Sequence, residues 1–401
     1  MVDTKEKILL ISPYFPPDSA GTGFVMEELA ESIQKSGRVV HVLAGQTQYC
    51  TTARYHTYKS RVSIHRIWHC YMNKNSKFGR IMNYLSFPIA VLFHTHLLRW
   101  ADTIIIVSTI PTTIGLAPLL NKFFKKNVHY IWQDIYPDLV IHLGAITQSS
   151  LLARSMRWLN EKSLPYVDHI IVLCDDMKTY VAQHYQGAWT NNVVVINNWE
   201  NPDEIVPLSK DNPWARVSGY YEKFIVLYSG NIGLFQDFDT IIQAAKLLQY
   251  DRNVVFLFVG EGGSKKDIQD TVRTKNLQNV DFMSYVPQED YNKLLATADA
   301  HIVSLKPGME QFGFPGKLYS SLAAGRPVLA VGRVGGELIR TVITHHIGLT
   351  ASTAQELADN ITRLKNDTDL RSTLGEQGRS VFLDKWSVNK ATQQYMQLLK
   401  N

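Results

Sequence analysis

Residues 224–248 read FIVLYSGNIGLFQDFDTIIQAAKLL. Five apolar or aromatic residues run without a break, a turn with Gly230 and Gly233 follows, and apolar residues then recur at helical spacing. A short continuous apolar run is how a strand buried on both faces of a parallel sheet reads, and the turn and helix after it complete one βα unit. The same rhythm spreads outward in both directions. Strands are predicted at 8–12, 39–43, 104–108, 129–132, 170–173 and 193–196 in the first half. In the second half they fall at 224–228, 254–259, 280–285, 301–305 and 328–331. Between the halves, 197–220 carries Pro202, Pro207 and Pro213 with little periodicity, and reads as a linker. The expected fold is α/β, two doubly wound Rossmann-like domains facing across a cleft. The expected domains are 1–205 and 206–381, with the helical segment 382–401 packing back on the first.

The chain has 401 residues, 45% hydrophobic and 19% charged, which excludes disordered and fibrous classes. No run reaches the ~18 apolar residues of a membrane span; the longest, 85–98, contains Pro88, His94 and His96. Cys50, Cys70 and Cys174 form neither a disulfide framework nor a zinc pattern. The opening MVDTKEKILLIS passes from polar residues straight into a strand, so no signal peptide is expected and a cytoplasmic location is. The net charge of +5 hides an asymmetry: residues 32–133 hold thirteen Lys or Arg and one acid, Asp102. Within that stretch KNSKFGR (74–80) precedes IMNYLSFPIAVLFHTHLLRW (81–100). Basic and aromatic residues beside an apolar segment suit the surface of an anionic leaflet, so 74–100 is a candidate for peripheral docking on the inner face of the cytoplasmic membrane. The same pattern also describes a core helix beside solvated lysines. No nucleic-acid recognition motif accompanies the charge, and no nucleic-acid partner is expected.

In doubly wound sheets ligands bind where strands end and helix N-termini begin. Four such loops stand out. PYFPPDSAGTGF (13–24) brings Gly21 and Gly23 just before a helix, as a plain turn or as a loop letting a ligand approach backbone. YSGNIGLFQ (228–236) offers Gly230, Asn231 and Gln236, and the Asp237 and Asp239 that follow read as helix-capping groups in preference to metal ligands. VGEGG (259–263) offers Gly260 and Glu261. EQFGFPGK (310–317) offers Glu310, Gly313, Pro315, Gly316 and Lys317, with Leu318 next. Lys317 falls in the first turn of a helix, where a cation opposes the helix dipole unless an anion lies between them. Asp134 and Asp138, after the fourth strand, read as acceptor-side or acid–base groups, or as carboxylates capping the next turn.

In its order of motifs the chain resembles the retaining glycosyltransferases of family 4, which have the two-domain GT-B fold. The resemblance covers essentially the whole length. It rests on PPDSAGTG, WQDIYPD (132–138), VINNW (195–199), YSGNIGLFQ, FVGEGG and PGKLYSSLAAGRPVLA. Within the family it is most similar to bacterial capsule, exopolysaccharide and colanic-acid transferases, and it also looks like a cyanobacterial heterocyst-envelope polysaccharide transferase. The resemblance implies a nucleotide diphosphate sugar held mainly by the C-terminal domain and an acceptor held mainly by the N-terminal one; a UDP-sugar donor, a lipid-diphosphate-linked or oligosaccharide acceptor and no cofactor are the expectations. It further implies retention by front-face attack, a phosphate oxygen helping the acceptor proton leave.

The pattern is altered at the donor side. Many members carry Arg and Lys where this chain has Asn231 and Gln236, and two glutamates eight apart where it has Glu310 and Leu318, with Ser320 before the Ser-Leu-Ala-Ala-Gly run. Lys317 is therefore expected to hold the diphosphate and stabilise the charge that builds on it, without a divalent metal. Glu310 is expected to bond donor-sugar hydroxyls, and backbone at Tyr285, Val286 and Pro287 to read the base. Two other functions fit the same residues: a nucleotide-sugar 2-epimerase, and a catalytically silent nucleotide-sugar-binding subunit.

Overall fold

The structure, a computed structural model, describes residues 5–17, 21–46, 59–70, 72 and 77–399. Residues 74–76 of the basic stretch lie outside them. The chain divides into two compact units, one of 1–197, 311–313 and 388–401, the other of 198–310 and 314–387. The division thus falls earlier than residue 205. The helix Val388–Leu398 packs on the helix Gly21–Lys35 in the first unit, whereas 382–387 belongs to the second.

The first unit is built on a parallel sheet of seven strands: β1 (Lys7–Ser12), β2 (Val39–Gly45), β3 (Ser63–Ile67), β4 (Thr103–Val107), β5 (Asn127–Trp132), β6 (His169–Val172) and β7 (Val193–Val195). Their spatial order is β3-β2-β1-β4-β5-β6-β7. The second unit has six parallel strands: β8 (Phe224–Ser229), β9 (Val254–Val259), β10 (Val280–Met283), β11 (Ala300–Ser304), β12 (Val328–Val331) and β13 (Gly348–Ala351). These lie in the order β10-β9-β8-β11-β12-β13. The central strands β4, β8, β9 and β11 are buried at every position, as their unbroken apolar runs require.

Two strands were not expected from sequence, β3 and β13. Both lie at sheet edges, and most of their residues are only half-buried, so SIHRI and GLTA lack the apolar run that marks a central strand. The expected linker also contains a helix, Pro213–Ser218, made by its ends. Asn212 Oδ1 accepts from the Ala215 N–H at 3.1 Å, Pro213 takes the first position, and Gly219 closes it at φ 79°. Asp237 is a cap, as expected. Its carboxylate accepts from the Thr240 N–H at 3.1 Å and the Thr240 hydroxyl at 2.7 Å.

The strand orders fix where ligands belong. In each sheet the order reverses once, between β1 and β4 in the first unit and between β8 and β11 in the second. Crevices at the carboxyl ends of strands open at such switch points.

Candidate functional site

In the second unit the switch point brings together two loops more than seventy residues apart. Gly230 follows β8; the segment ending in Lys317 follows β11, its neighbour in the sheet. The Lys317 ammonium sits 4.6 Å over the Tyr228 ring, and a Cβ added at Gly230 would lie 3.7 Å from Lys317 Cε. Among the described residues no carboxylate pairs with this ammonium. Burial holds it down to about 8, against 10.5 for a free lysine. A half-buried cation with an aromatic face and a glycine turn for neighbours has the chemistry of an anion site waiting for its anion.

The turn itself is tightly built. The Gly230 N–H donates to Val259 O at 2.8 Å and the Ile232 N–H to Glu261 O at 2.9 Å, lacing the loop after β8 to the loop after β9. Gly260 stands at φ 149°, and a Cβ there would come within 1.9 Å of Gly230 O, so only glycine lets the two loops meet. Glu261 is exposed and paired with Lys265 at 2.8 Å, which together with Ser284 holds its carboxyl below the usual range. Gln236 is buried: its Oε1 accepts from the Gly233 N–H at 3.2 Å, so it braces the loop from inside, while Asn231 is exposed. Tyr285 and Pro287 are exposed beyond β10, Val286 half-buried.

Glu310 lies under the loop after β12. Its Oε2 accepts from the Gly308 N–H at 2.8 Å, its Oε1 is 3.5 Å from Arg333 Nε, and a Cβ at Gly336 would approach Oε1 to 2.9 Å. Pro315 is buried and Gly316 exposed ahead of the helix Lys317–Ala323. Leu318 corrects its expected place among the binding residues. It is wholly buried in the core, and its N–H is already spent on Pro315 O at 3.1 Å, so it has neither side chain nor amide to present.

In the first unit Gly21 and Gly23 lie inside the first turn of the helix Gly21–Lys35, not in the loop before it. Gly23 is there for packing: a Cβ would come within 3.3 Å of Phe15 Cα, whereas Gly21 is exposed with open space beside it. Arg66 ties the same loop down, donating to Pro16 O, to Phe15 O and to Gly45 O at 3.0 Å, so part of the basic excess is structural.

Asp134 and Asp138 have different fates. Asp138 is buried, its Oδ1 paired with Arg157 and its Oδ2 accepting from the Tyr185 hydroxyl at 2.8 Å; its carboxylate is committed to packing. Asp134 is half-buried and, among the described residues, meets no cation; burial pushes its carboxyl up to about 6. Residues 311–313 lie beside it. Phe312 O accepts from the Ile135 N–H at 3.2 Å, and a Cβ at Gly313 would come within 3.2 Å of Asp134 Oδ1, so glycine leaves the carboxylate room. The signal that Asp134 and Gly313 belong together was absent from the sequence, where almost 180 residues separate them.

Two parallel-sheet α/β units of this kind are the architecture of the GT-B glycosyltransferases, and two family models match the chain. Residues 20–199 match the family described as "Glycosyl transferase 4-like domain" and residues 214–381 match "Glycosyl transferases group 1". The chain is a glycosyltransferase, with a 4-like domain followed by a group 1 domain. It is 24% identical to WbjE of Pseudomonas aeruginosa, named as a glycosyltransferase, over 95% of this chain and 94% of that one. It is 25% identical to WcaI of Escherichia coli, named for colanic acid biosynthesis, over 80% of this chain and 81% of that one. Among solved structures, Anabaena HepE in complex with UDP and glucose superposes with a TM-score of 0.73 at 16% identity, covering 98% and 99% of the two chains. Sucrose-phosphate synthase of Thermosynechococcus elongatus gives 0.77 at 18% identity, covering 99% and 98%. At such identities these likenesses speak for the fold.

Proposed function

We propose that this glycosyltransferase moves a hexose from a UDP-sugar to a lipid-diphosphate-linked or saccharide acceptor in surface polysaccharide biosynthesis, retaining the anomeric configuration and using no divalent metal. The observation that carries the donor half is Lys317, a half-buried ammonium at the switch point of the second unit that pairs with no carboxylate among the described residues. Cleavage at the anomeric carbon builds negative charge on the leaving diphosphate. A cation fixed there stabilises that charge more in the transition state than in the ground state. The HepE complexes with UDP and UDP-glucose support a uridine donor by analogy of fold, and WcaI supports a polysaccharide product by analogy of sequence. In the first unit Asp134 orients the acceptor hydroxyl by accepting its hydrogen bond.

The test is a thermal-shift series with UDP, GDP, ADP and their sugars, with and without magnesium. UDP at a hundred times its dissociation constant stabilises the fold by ~2.7 kcal/mol, independent of magnesium. No shift with any nucleotide overturns the donor reading; a shift that needs magnesium overturns the metal-free mechanism.

A membrane-borne acceptor requires a face that meets the bilayer. The helix Lys77–Leu92 exposes Ile81, Leu85, Ile89 and Leu92, with Phe93 just beyond, a stripe at helical spacing on the more basic unit. No helix among the described residues is long and apolar enough to cross a membrane. An apolar stripe on a basic surface suits attachment to anionic lipid in the plane of the interface. The protein should float with vesicles containing an anionic phospholipid and not with neutral ones, and the double variant Leu85→Glu, Ile89→Glu should stay behind. Equal flotation with both vesicle types, or unchanged flotation of the variant, refutes the docking face.

A further inference from the structure

The second unit has another concavity at the opposite end of its sheet. A cavity of about 400 Å³ lies where β8, β9 and β10 begin, with Tyr220, Lys223, Gln249, Arg252, Asn279 and Asp281 in its walls. Gly230 and Lys317 stand at the carboxyl ends of the strands, so the six residues of β9, about 20 Å of strand, separate the two places. The walls are polar and braced. Trp214 stacks on Tyr220 with ring centres 6.1 Å apart, and the Tyr220 hydroxyl donates to Asp281 Oδ2 at 3.1 Å. Lys223 Nζ donates to Arg252 O at 3.0 Å. Asn279 is buried; its Nδ2 donates to Ala245 O at 2.8 Å, while its Oδ1 meets no donor among the described residues. The charges do not cancel. Two cations, Lys223 and Arg252, share the cavity with one carboxylate, Asp281, and among the described residues neither cation is ion-paired. A buried acceptor without a donor and a surplus cation in the walls of one cavity are two unmet demands.

We propose that this cavity is a carbohydrate site apart from the reaction, holding one sugar ring that bears a carboxylate. A sugar hydroxyl both donates and accepts, and the walls offer both: Arg252, Lys223 and the Gln249 amide as donors, Asp281 and Asn279 Oδ1 as acceptors. The volume falls at the low end of the ~300–1,000 Å³ usual for ligand pockets, which suits a single ring. The surplus cation calls for an anionic substituent, and the planar fork of Arg252 matches a carboxylate. A bare phosphate would meet the cations but leave Asp281 and Asn279 without donors. Tyr250, between Gln249 and Arg252 in the chain and 89% exposed, has a ring free to cover the C–H face of the sugar. Such a site would keep an acidic saccharide on the enzyme between transfers; that role rests on the polysaccharide reading above, and the site itself does not.

The experiment is a saturation-transfer NMR titration of the whole chain with glucuronate, glucose and inorganic phosphate, each with and without excess UDP. Glucuronate should bind whether or not UDP is present, and about tenfold more tightly than glucose or phosphate, the size of one charge-assisted hydrogen bond. Arg252→Ala should lose about that factor for glucuronate and leave the affinity for UDP unchanged. Gln249→Ala should show the same pattern more weakly, and decides the matter if Arg252→Ala folds poorly. No glucuronate signal overturns the inference, and so does phosphate binding as tightly, which marks a plain anion site. Displacement of glucuronate by UDP, or unchanged glucuronate binding in both variants, places the sugar elsewhere and also overturns it. Failure of UDP to bind bears on the donor reading alone.

Discussion

Lys317→Ala should lower transfer by about a hundredfold with the fold intact, the usual consequence of removing one charge contact to a leaving group. A fall of less than threefold would dismiss Lys317 from the mechanism. The same lysine predicts a pH dependence. Because burial brings its ammonium down to about 8, affinity for UDP should be flat below that value and fall by up to tenfold per unit above it. In the alanine variant that limb should vanish. The sign for stability is opposite. Between about 8 and the ordinary 10.5 the unfolded chain keeps a proton that the folded, ligand-free chain has released, so this group's contribution to stability rises with pH through that window. Ligand-free Lys317→Met should accordingly be more stable than wild type at neutral pH, and UDP should reverse the ranking. A denaturation series with and without UDP reads both effects.

Asp134→Asn should separate activity from stability. Loss of the carboxylate should lower transfer by at least a hundredfold, the lower range for an acid–base or orienting group, and should remove an acidic limb of the rate profile near pH 6. Between 3.8 and about 6 the folded chain holds a proton that the unfolded chain has lost, so this carboxyl's contribution to stability falls as pH rises through that window. Removing the charge should therefore stabilise the protein at neutral pH by about 2 kcal/mol. An asparagine variant as active as wild type would reduce Asp134 to a structural residue. A variant both inactive and destabilised would show that its carboxylate is held by partners and is not waiting for an acceptor. Asp138 is the internal contrast, since Arg157 and the Tyr185 hydroxyl already satisfy it.

How much of this was legible beforehand follows from how each feature is encoded. FIVLYS and VVFLFV announce β8 and β9 because a central parallel strand buries every side chain, and burial on both faces leaves an unbroken apolar run. SIHRI and GLTA did not announce β3 and β13, since an edge strand is defined by its neighbour more than by its own residues. Asp237 was readable as a cap because its partner, Thr240, is three residues away. Gln236 and Leu318 look as available as their neighbours in sequence, yet both face inward.

The βα alternation, the two sheets, the turns at their strand ends and the oddity of a lysine in the first turn of a helix can all be read along the chain. These are local properties, written in periods of two and 3.6 residues and in short-range capping. Which turns meet depends on the folded arrangement of the strands. The adjacency of β8 and β11 puts Lys317 over Tyr228 and beside Gly230, and the return of residues 311–313 to the first unit puts Gly313 against Asp134. Strand order is set by packing among segments far apart in the chain, so no window of sequence carries it. The raised and lowered proton affinities of Asp134 and Lys317 share that origin, because burial, which neither residue encodes, is what shifts them.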